Sequence, residues 1–141
     1  MPTFVDTGFW IALQNKDDPW HEKASLLWEK VLRGDLKDVF TTDYVLDEAV
    51  SHAALHKQWG SWEKGQSVGK TILQSREVVR LVHVEEKDVE TAWDVFLKYR
   101  DKKLSFTDCV SMAVMDRLGA KTLLGFNGDF DKVGRGYERF Q

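Results

Sequence analysis

The order of hydrophobic and polar residues predicts strands and helices that alternate along the chain. Short apolar runs bounded by turn residues are typical of buried strands, whereas apolar positions three or four residues apart are typical of helices. Strands are predicted at residues 3–6, 38–41, 78–84 and 122–126, with an edge strand at 137–140. Helices are predicted at residues 8–14, 19–33, 43–56, 88–99 and 104–118.

The second predicted helix has clear start and stop signals. Asp18 is expected to cap it, Pro19 to occupy its first position, and Gly34 to follow its end. The pattern is least clear between residues 57 and 77, where two tryptophans and a glycine interrupt it before a polar helix that is predicted to run to residue 75.

Helical spacing also predicts which side chains face the core. In the helix at 88–99 these are Val89, Ala92, Trp93, Phe96 and Leu97. In the helix at 43–56 they are Val45, Leu46, Ala49, Val50 and Ala53. At 100° per residue Glu48 lies beside the second stripe, so we expect its side chain to reach a cleft without entering the core.

Strands that alternate with helices predict an α/β domain of three layers, with a mostly parallel central sheet between helices. A length of 141 residues is that of one domain, which we expect to span residues 1–141. Ligands of such sheets bind at the carboxyl ends of the strands. Polar residues at those ends are therefore candidates for a functional site.

Four acidic residues lie at strand ends or on apolar helices, where burial is expected: Asp6, Glu48, Asp108 and Asp129. Burying a carboxylate is costly unless a cation or hydrogen bonds compensate for it. Carboxylate oxygens are the ligands that Mg²⁺ and Mn²⁺ prefer. The four acids therefore predict a metal-dependent enzyme, and cleavage of a phosphodiester is the favoured chemistry.

Each acid also has a purely structural interpretation. Asp6 can accept backbone hydrogen bonds in a turn, and Asp129 competes with Asp131 in an acidic turn. Asp108 fits a capping box that begins at Ser105. We favour the interpretation of Asp108 as a metal ligand, because a residue that only caps a helix does not need to be surrounded by apolar side chains.

Composition limits the remaining possibilities. The net charge of −3 argues against broad electrostatic binding of nucleic acid, although a bound metal reverses the field of an acidic site. A single cysteine, Cys109, suits a reducing cytoplasm and is expected in the core. Neither a signal peptide nor a membrane span is predicted. Six tryptophans is a high number, and some are expected to make contacts beyond the core.

Two other sequence patterns bear on the kind of functional site. His52 and His56 have the spacing of a metal pair but lack the glutamate of the zinc-protease motif, so they are interpreted as surface histidines. There is no glycine-rich phosphate-binding loop in the sequence.

The order of the acidic segments resembles the PIN-domain family, and within it the small VapC-type toxin ribonucleases of toxin–antitoxin systems. The segments that carry the resemblance, which covers essentially the whole chain, are residues 5–7, 41–48, 104–109 and 124–130. The resemblance implies Mg²⁺ or Mn²⁺ at Asp6 and Asp108, with Glu48 and Asp129 as further ligands or catalytic groups. Thr7 and Asp101 are implied as supporting residues.

The chain departs from the family pattern at the fourth acid. Gly125 stands where the family often has threonine, and Asn127 stands where it often has the aspartate of the site. Either Asp129 or the amide oxygen of Asn127 is then the fourth site residue.

The resemblance further implies RNA as substrate, an antitoxin partner and a homodimer. Trp59 and Trp62 are candidate antitoxin contacts, although a role in covering the core is slightly preferred. Two alternatives to a toxin stay open: a housekeeping nuclease that matures RNA, and a module that binds RNA or a partner without cleaving.

Overall fold

Five parallel strands form the central sheet of the computed structural model, which describes residues 1–140. The strands are β1 Thr3–Val5, β2 Val39–Thr42, β3 Arg80–Val82, β4 Thr122–Leu124 and β5 Glu138–Arg139. Their order in the sheet is β3-β2-β1-β4-β5, and each neighbouring pair is parallel. Thr3 is in register with both Val39 and Thr122, so β1 is the central strand.

Six α-helices connect and cover these strands. They are α1 Thr7–Gln14, α2 His21–Leu32, α3 Asp43–Leu55, α4 Trp62–Gln74, α5 Glu86–Lys98 and α6 Phe106–Leu118. Helix α3 packs against α4, and α5 packs against α6. This arrangement confirms the predicted α/β/α sandwich. None of the described helices is both long and apolar enough to cross a membrane.

A buried hydrogen-bond chain holds α1 against the carboxyl ends of β1 and β2. The indole of Trp10 donates to Thr41 Oγ1 at 3.4 Å, and the Thr41 hydroxyl donates to the carbonyl of Val5 at 2.9 Å. All three residues are buried. Since Asp6 follows Val5 directly, these bonds help to fix the backbone from which the first predicted acid projects.

Several element boundaries differ from the sequence prediction, and hydrogen bonds explain two of these differences. Helix α2 begins at His21 and not at Pro19. The Asp18 carboxylate accepts the Trp20 N–H at 2.8 Å, and the Asp18 carbonyl accepts the His21 N–H at 3.0 Å, so residues 18–21 form a separate turn before the helix. Strand β3 is shorter than predicted, because the Val84 N–H donates to the Asp43 carboxylate at 2.9 Å instead of to a strand.

The predicted inward face of α5 is wrong for three of its five residues. Trp93 and Leu97 are each 53 % exposed and Phe96 is 37 % exposed. The buried residues of this helix are Asp88, Ala92 and Val95. Asp88 occupies an inward position because Arg117 of α6 donates to its carboxylate at 2.8 Å.

The exposed residues of α5 form a continuous aromatic surface with the start of α6. The rings of Trp93 and Phe96 are stacked at 5.7 Å, and Phe106 packs against both at 6.5 and 6.2 Å. We call Trp93, Phe96, Leu97 and Phe106 the α5 apolar face.

Candidate active site

An open cleft of about 340 Å³ contains three of the four predicted acids. The residues that line it are Thr7, Gly8, Ile11, Glu48, His52, Lys103, Ser105, Asp108, Asn127 and Asp129. Asp6, the remaining acid, lies at the base of the cleft, where its carboxylate accepts a hydrogen bond from the side-chain amide of Asn127 at 3.4 Å. A larger groove of about 760 Å³ lies between α3 and α4, and none of the four acids lines it.

Asp6 is positioned by the pairing of β1 with β4. Its N–H donates to the carbonyl of Leu124 at 2.9 Å, and its own carbonyl accepts the Phe9 N–H at 3.2 Å as α1 begins. The side chain makes no N-terminal capping hydrogen bond and is only 2 % exposed, but it does accept a backbone hydrogen bond from Thr7. The interpretation of Asp6 as an acceptor of backbone hydrogen bonds in the turn is therefore compatible with its position at the cleft.

Gly125 allows the backbone after β4 to approach Asp6 closely. A Cβ atom at this position would lie 3.2 Å from the Asp6 Cβ and 3.5 Å from its Oδ2. A larger side chain would press on the buried carboxylate or move the strand end. This contact explains in physical terms why glycine is compatible with the site at position 125.

Helix α3 brings Glu48 to the wall of the cleft. The helix begins directly after β2, with the Thr42 hydroxyl accepting the Val45 N–H at 3.1 Å as its N-terminal cap. Val45 and Ala49 are buried and Glu48 is half-buried, as the helical spacing predicts. His52, one turn further along α3, lines the same cleft.

Asp108 both caps α6 and faces the cleft. Its carboxylate accepts the Ser105 N–H at 3.3 Å, while the Ser105 hydroxyl accepts the Asp108 N–H at 3.0 Å. The predicted capping box is thus present. Asp108 is nevertheless only 6 % exposed and borders the cleft, so the capping and ligand interpretations are compatible.

Asp129 and Asn127 occupy the side of the cleft after β4. The Asn127 amide oxygen accepts the Asp129 N–H at 3.0 Å, while its nitrogen faces Asp6. The Asp129 carboxylate pairs with Lys132 at 2.7 Å. Since the Asn127 oxygen is engaged within its own turn, Asp129 is the better candidate for the fourth site residue.

Burial and mutual repulsion raise the pKa values of the two deepest acids. Burial raises the pKa of Asp6 to about 7; Asp108, Glu48 and Asp129 add to the rise, and a backbone hydrogen bond from Thr7 opposes it. Burial raises the pKa of Asp108 to about 6, with Asp129 and Glu48 adding and hydrogen bonds from Ser105 opposing. Such a cluster is stabilised by a cation.

The Thr7 hydroxyl is a second sign that a ligand belongs in the cleft. Thr7 is buried and lines the cleft, yet its Oγ1 has no hydrogen-bond partner among the described residues. An unpaired buried hydroxyl is costly unless a ligand or water satisfies it. Thr7 therefore fits its implied role beside a hydrated ion or a phosphate.

The acids fit a hydrated ion better than a fully protein-enclosed one. Within residues 1–140, no three acidic, histidine or cysteine side chains form a preassembled cage for a metal. Mg²⁺ usually keeps several waters and uses one or two carboxylates together with substrate phosphates. Asp6 and Asp108 supply that number of carboxylates at the cleft.

The structure leaves one predicted residue outside the cleft and adds two, Lys103 and His52, that the sequence favours as solvated surface residues. Asp101 is exposed, pairs with Lys102 at 3.8 Å and does not line the cleft. Lys103 lines it from a left-handed backbone conformation with φ of 56°, and it ends the basic run 98–103, for which the sequence allows either a solvated helix end or a group that holds phosphates beside the cleft. His52 also lines the cleft. Helical spacing could have indicated this position, because it places His52 on the same edge of α3 as Glu48.

A parallel sheet whose carboxyl ends gather acids around an open cleft is the architecture of the PIN domain. The PIN-domain family model matches residues 3–136, and the chain belongs to this family. The predicted resemblance is therefore confirmed.

The similar proteins are VapC-type endonucleases. Over 131 residues the chain is 33 % identical to the 23S rRNA-specific endonuclease VapC20 of Mycobacterium tuberculosis, in strains CDC 1551 / Oshkosh and ATCC 25618 / H37Rv, covering 93 % of each chain. The crystal structure of Mycobacterium tuberculosis VapC20, described as a sarcin–ricin loop cleaving toxin, matches with a TM-score of 0.79 at 30 % identity. That match covers 94 % of this chain and 95 % of the other.

Proposed function

We propose that this protein is a VapC-type endoribonuclease that hydrolyses RNA phosphodiester bonds at the acid-lined cleft with Mg²⁺ or Mn²⁺. The observation that carries the proposal is the burial of Asp6 and Asp108 beside Glu48 and Asp129, in a chain similar along nearly its whole length to an rRNA endonuclease. The raised pKa values of Asp6 and Asp108 support a cation as their partner.

Asp6 and Asp108 would hold the metal, and Thr7 would hydrogen-bond to one of its waters or to the phosphate. A divalent ion bound there supplies Lewis acidity to a phosphoryl oxygen and acidifies a bound water. Glu48 is the better proton acceptor, since Asp129 is already paired with Lys132 at 2.7 Å. A water would attack phosphorus while Glu48 takes its proton. The bond from phosphorus to the ribose oxygen would break, and that oxygen would take a proton from solvent.

We further propose that the substrate is a folded loop of ribosomal RNA in the cytoplasm. The similar endonuclease is named for 23S rRNA and its structure for the sarcin–ricin loop. The net charge of −3 supports recognition of one shape over uniform attraction to RNA.

The first experiment compares the wild type with Asp108→Asn on a labelled oligonucleotide that contains the sarcin–ricin loop, in Mg²⁺, Mn²⁺ or EDTA. Asparagine keeps the size and can still accept the Ser105 N–H, but it lacks the charge that holds a metal. We expect cleavage only with metal, and a loss of about 100-fold or more in the variant.

The matched control is Asp47→Asn. Asp47 is the exposed neighbour of Glu48 and does not line the cleft, so this variant should cleave at the wild-type rate. Metal-dependent cleavage that Asp108→Asn retains in full would remove Asp108 from the mechanism. RNA binding that persists in EDTA without any cleavage would favour the non-catalytic module.

We propose that the enzyme is a toxin with a cognate antitoxin. The support is its similarity to a protein described as a toxin. Expression of the wild type should arrest growth, whereas Asp108→Asn should not, and the antitoxin should relieve the arrest. Normal growth of cells that make active enzyme would favour a housekeeping nuclease.

We also propose that the protein forms a homodimer through the α5 apolar face. Glu90 and Asp94 lie on α5, while Lys98 ends the helix and Arg100 follows it. Antiparallel pairing with a second copy about a two-fold axis places acids opposite bases and covers the aromatic rings.

A further inference from the structure

A second, smaller pocket lies next to the acid-lined cleft. It encloses about 180 Å³, and its lining residues are Trp20, Lys23, Gly125, Phe126, Arg139 and Phe140. Three aromatic and two basic side chains therefore surround one cavity. Neither the fold nor the proposed chemistry at the acids requires this combination.

The aromatic rings form a stack that leads from the core to the surface. The ring of Phe9, which is buried, stacks on Phe126 at 6.1 Å with an interplanar angle of 24°. Phe126 stacks on Trp20 at 5.0 Å with an angle of 1°. Trp20 is 46 % exposed, so the stack ends on a ring that solvent reaches.

Trp20 is not placed by the packing of α2. The helical spacing predicts that it faces the core, but it belongs to the turn before the helix. Ala24, Leu27 and Val31 cover the core without it. A large ring on that turn, parallel to a second ring, is instead suited to a planar ligand.

Basic groups lie around the pocket. The Lys23 ammonium is 6.0 Å from the centre of the Trp20 ring. The Arg139 guanidinium donates to the Phe126 carbonyl at 3.2 Å and pairs with Asp131 at 3.1 Å. In a chain with a net charge of −3, two cations beside one exposed and two half-buried aromatic rings favour a ligand that combines a flat ring with a phosphate.

The pocket and the cleft share one wall, the segment 125–127 that follows β4. Gly125 lies against Asp6, and the Asn127 amide donates to the Asp6 carboxylate at 3.4 Å. Between them, Phe126 lines the pocket. A strand of RNA with one phosphate at the acids can therefore place a neighbouring nucleotide at the pocket.

We propose that the Trp20–Phe126 pocket is a base-binding subsite, in which an unstacked RNA base next to the scissile phosphate stacks on Trp20. Lys23 and Arg139 contact the phosphate of that nucleotide. Proteins recognise RNA loops by stacking splayed bases on aromatic side chains in this way. This inference rests on the proposed ribonuclease function and adds a determinant of which phosphodiester is cut.

The test measures binding of the sarcin–ricin loop oligonucleotide to protein that carries Asp108→Asn, which prevents cleavage. Trp20→Ala and Trp20→Leu should each weaken binding about 5- to 100-fold, the loss expected for one base–aromatic stack. Trp20→Phe should retain most of the affinity. Leucine keeps an apolar cover over Phe126 without an aromatic face, so the Leu and Phe variants separate stacking from packing.

A spectroscopic readout identifies the stacked base directly. 2-Aminopurine placed in turn at each loop position should be quenched by the protein at one position, and Trp20→Leu should abolish that quenching. In otherwise wild-type enzyme, Trp20→Leu should raise KM for the loop with a smaller change in kcat. The control is Trp62→Leu, because Trp62 is exposed on α4 and lines neither the pocket nor the cleft.

The outcomes distinguish the subsite from the ribonuclease proposal. Wild-type enzyme that cleaves the loop while Trp20→Leu binds and cleaves it equally well would overturn the subsite alone. Failure of the wild type to bind or cleave any RNA would overturn both proposals. A Trp20→Leu effect on binding of a protein partner, with RNA affinity unchanged, would assign the pocket to that partner and overturn the base-binding role.

Discussion

The position of Asp6 disfavours the ionised form of its carboxyl group. Burial and three neighbouring acids raise its pKa to about 7, well above the usual value of 3.8. Between these two values the folded protein binds more protons than the unfolded chain, so the free energy of unfolding of the metal-free protein falls as the pH rises. Above pH 7 a cation restores what the ionised carboxylate costs.

The first residue-scale prediction concerns stability without metal. In EDTA at pH 8, Asp6→Asn should raise the free energy of unfolding by on the order of 2 kcal/mol, because the buried negative charge is removed. At pH 4 the difference should nearly vanish, since Asp6 is then protonated in the folded protein. Urea denaturation at both pH values measures this, and an equal effect at both would contradict the raised pKa.

The sequence predicted the acids because each obeys a local rule. Asp6 follows an apolar strand, and Glu48 lies at the edge of an apolar helical stripe, so both could be assigned to the cleft from spacing alone. The place of Lys103 was less predictable, because it depends on a left-handed backbone conformation after α5. Asp101 precedes that turn, is exposed and does not line the cleft.

At the scale of elements, the packing of α5 on α6 is organised by an ion pair. Burial raises the pKa of Asp88, but hydrogen bonds from Arg117 and the Glu85 N–H outweigh that effect and hold the pKa below its usual value. Periodicity alone predicted Trp93 and Phe96 in the inward position, because Arg117 lies 29 residues away and leaves no local signal. The helix itself was therefore predicted correctly, but the face that it turns toward the core was not.

The prediction for this pair is a loss of stability with little loss of chemistry. Arg117→Ala should lower the free energy of unfolding by about 2–3 kcal/mol, since it leaves the Asp88 charge buried without its partner. Cleavage measured well below the melting temperature should be near the wild-type rate. The matched control, Arg33→Ala, breaks an exposed pair with Asp35 and should change stability by less than about 1 kcal/mol.

Equal destabilisation by Arg117→Ala and Arg33→Ala in chemical denaturation would contradict this account. It would mean that the buried pair contributes no more than an exposed one. The contrast is informative because both variants remove the same side chain.

At the scale of the whole molecule, the α5 apolar face is a contiguous patch of exposed and half-exposed apolar side chains. Its four residues include three aromatic rings packed against one another, and contiguous exposed patches of this kind usually mark an interface. The parallel sheet and its two helix layers were predictable from the alternation of strands and helices, whereas this surface was visible only once Asp88 had been placed inward.

The whole-molecule prediction is a change of oligomeric state. Sedimentation equilibrium should show a dimer for the wild type and a monomer for Trp93→Glu, because a carboxylate at the centre of the face would be buried without a partner. Trp62→Glu, a matched change at another exposed tryptophan, should leave the dimer intact. A monomeric wild type at high protein concentration would contradict the proposed interface.

The strand order also sets when the enzyme becomes complete during its synthesis. β1 is made first, yet one of its two neighbours in the sheet is β4, residues 122–124, and Asp129 follows later still. Long-range pairing of this kind closes only after the intervening chain has emerged.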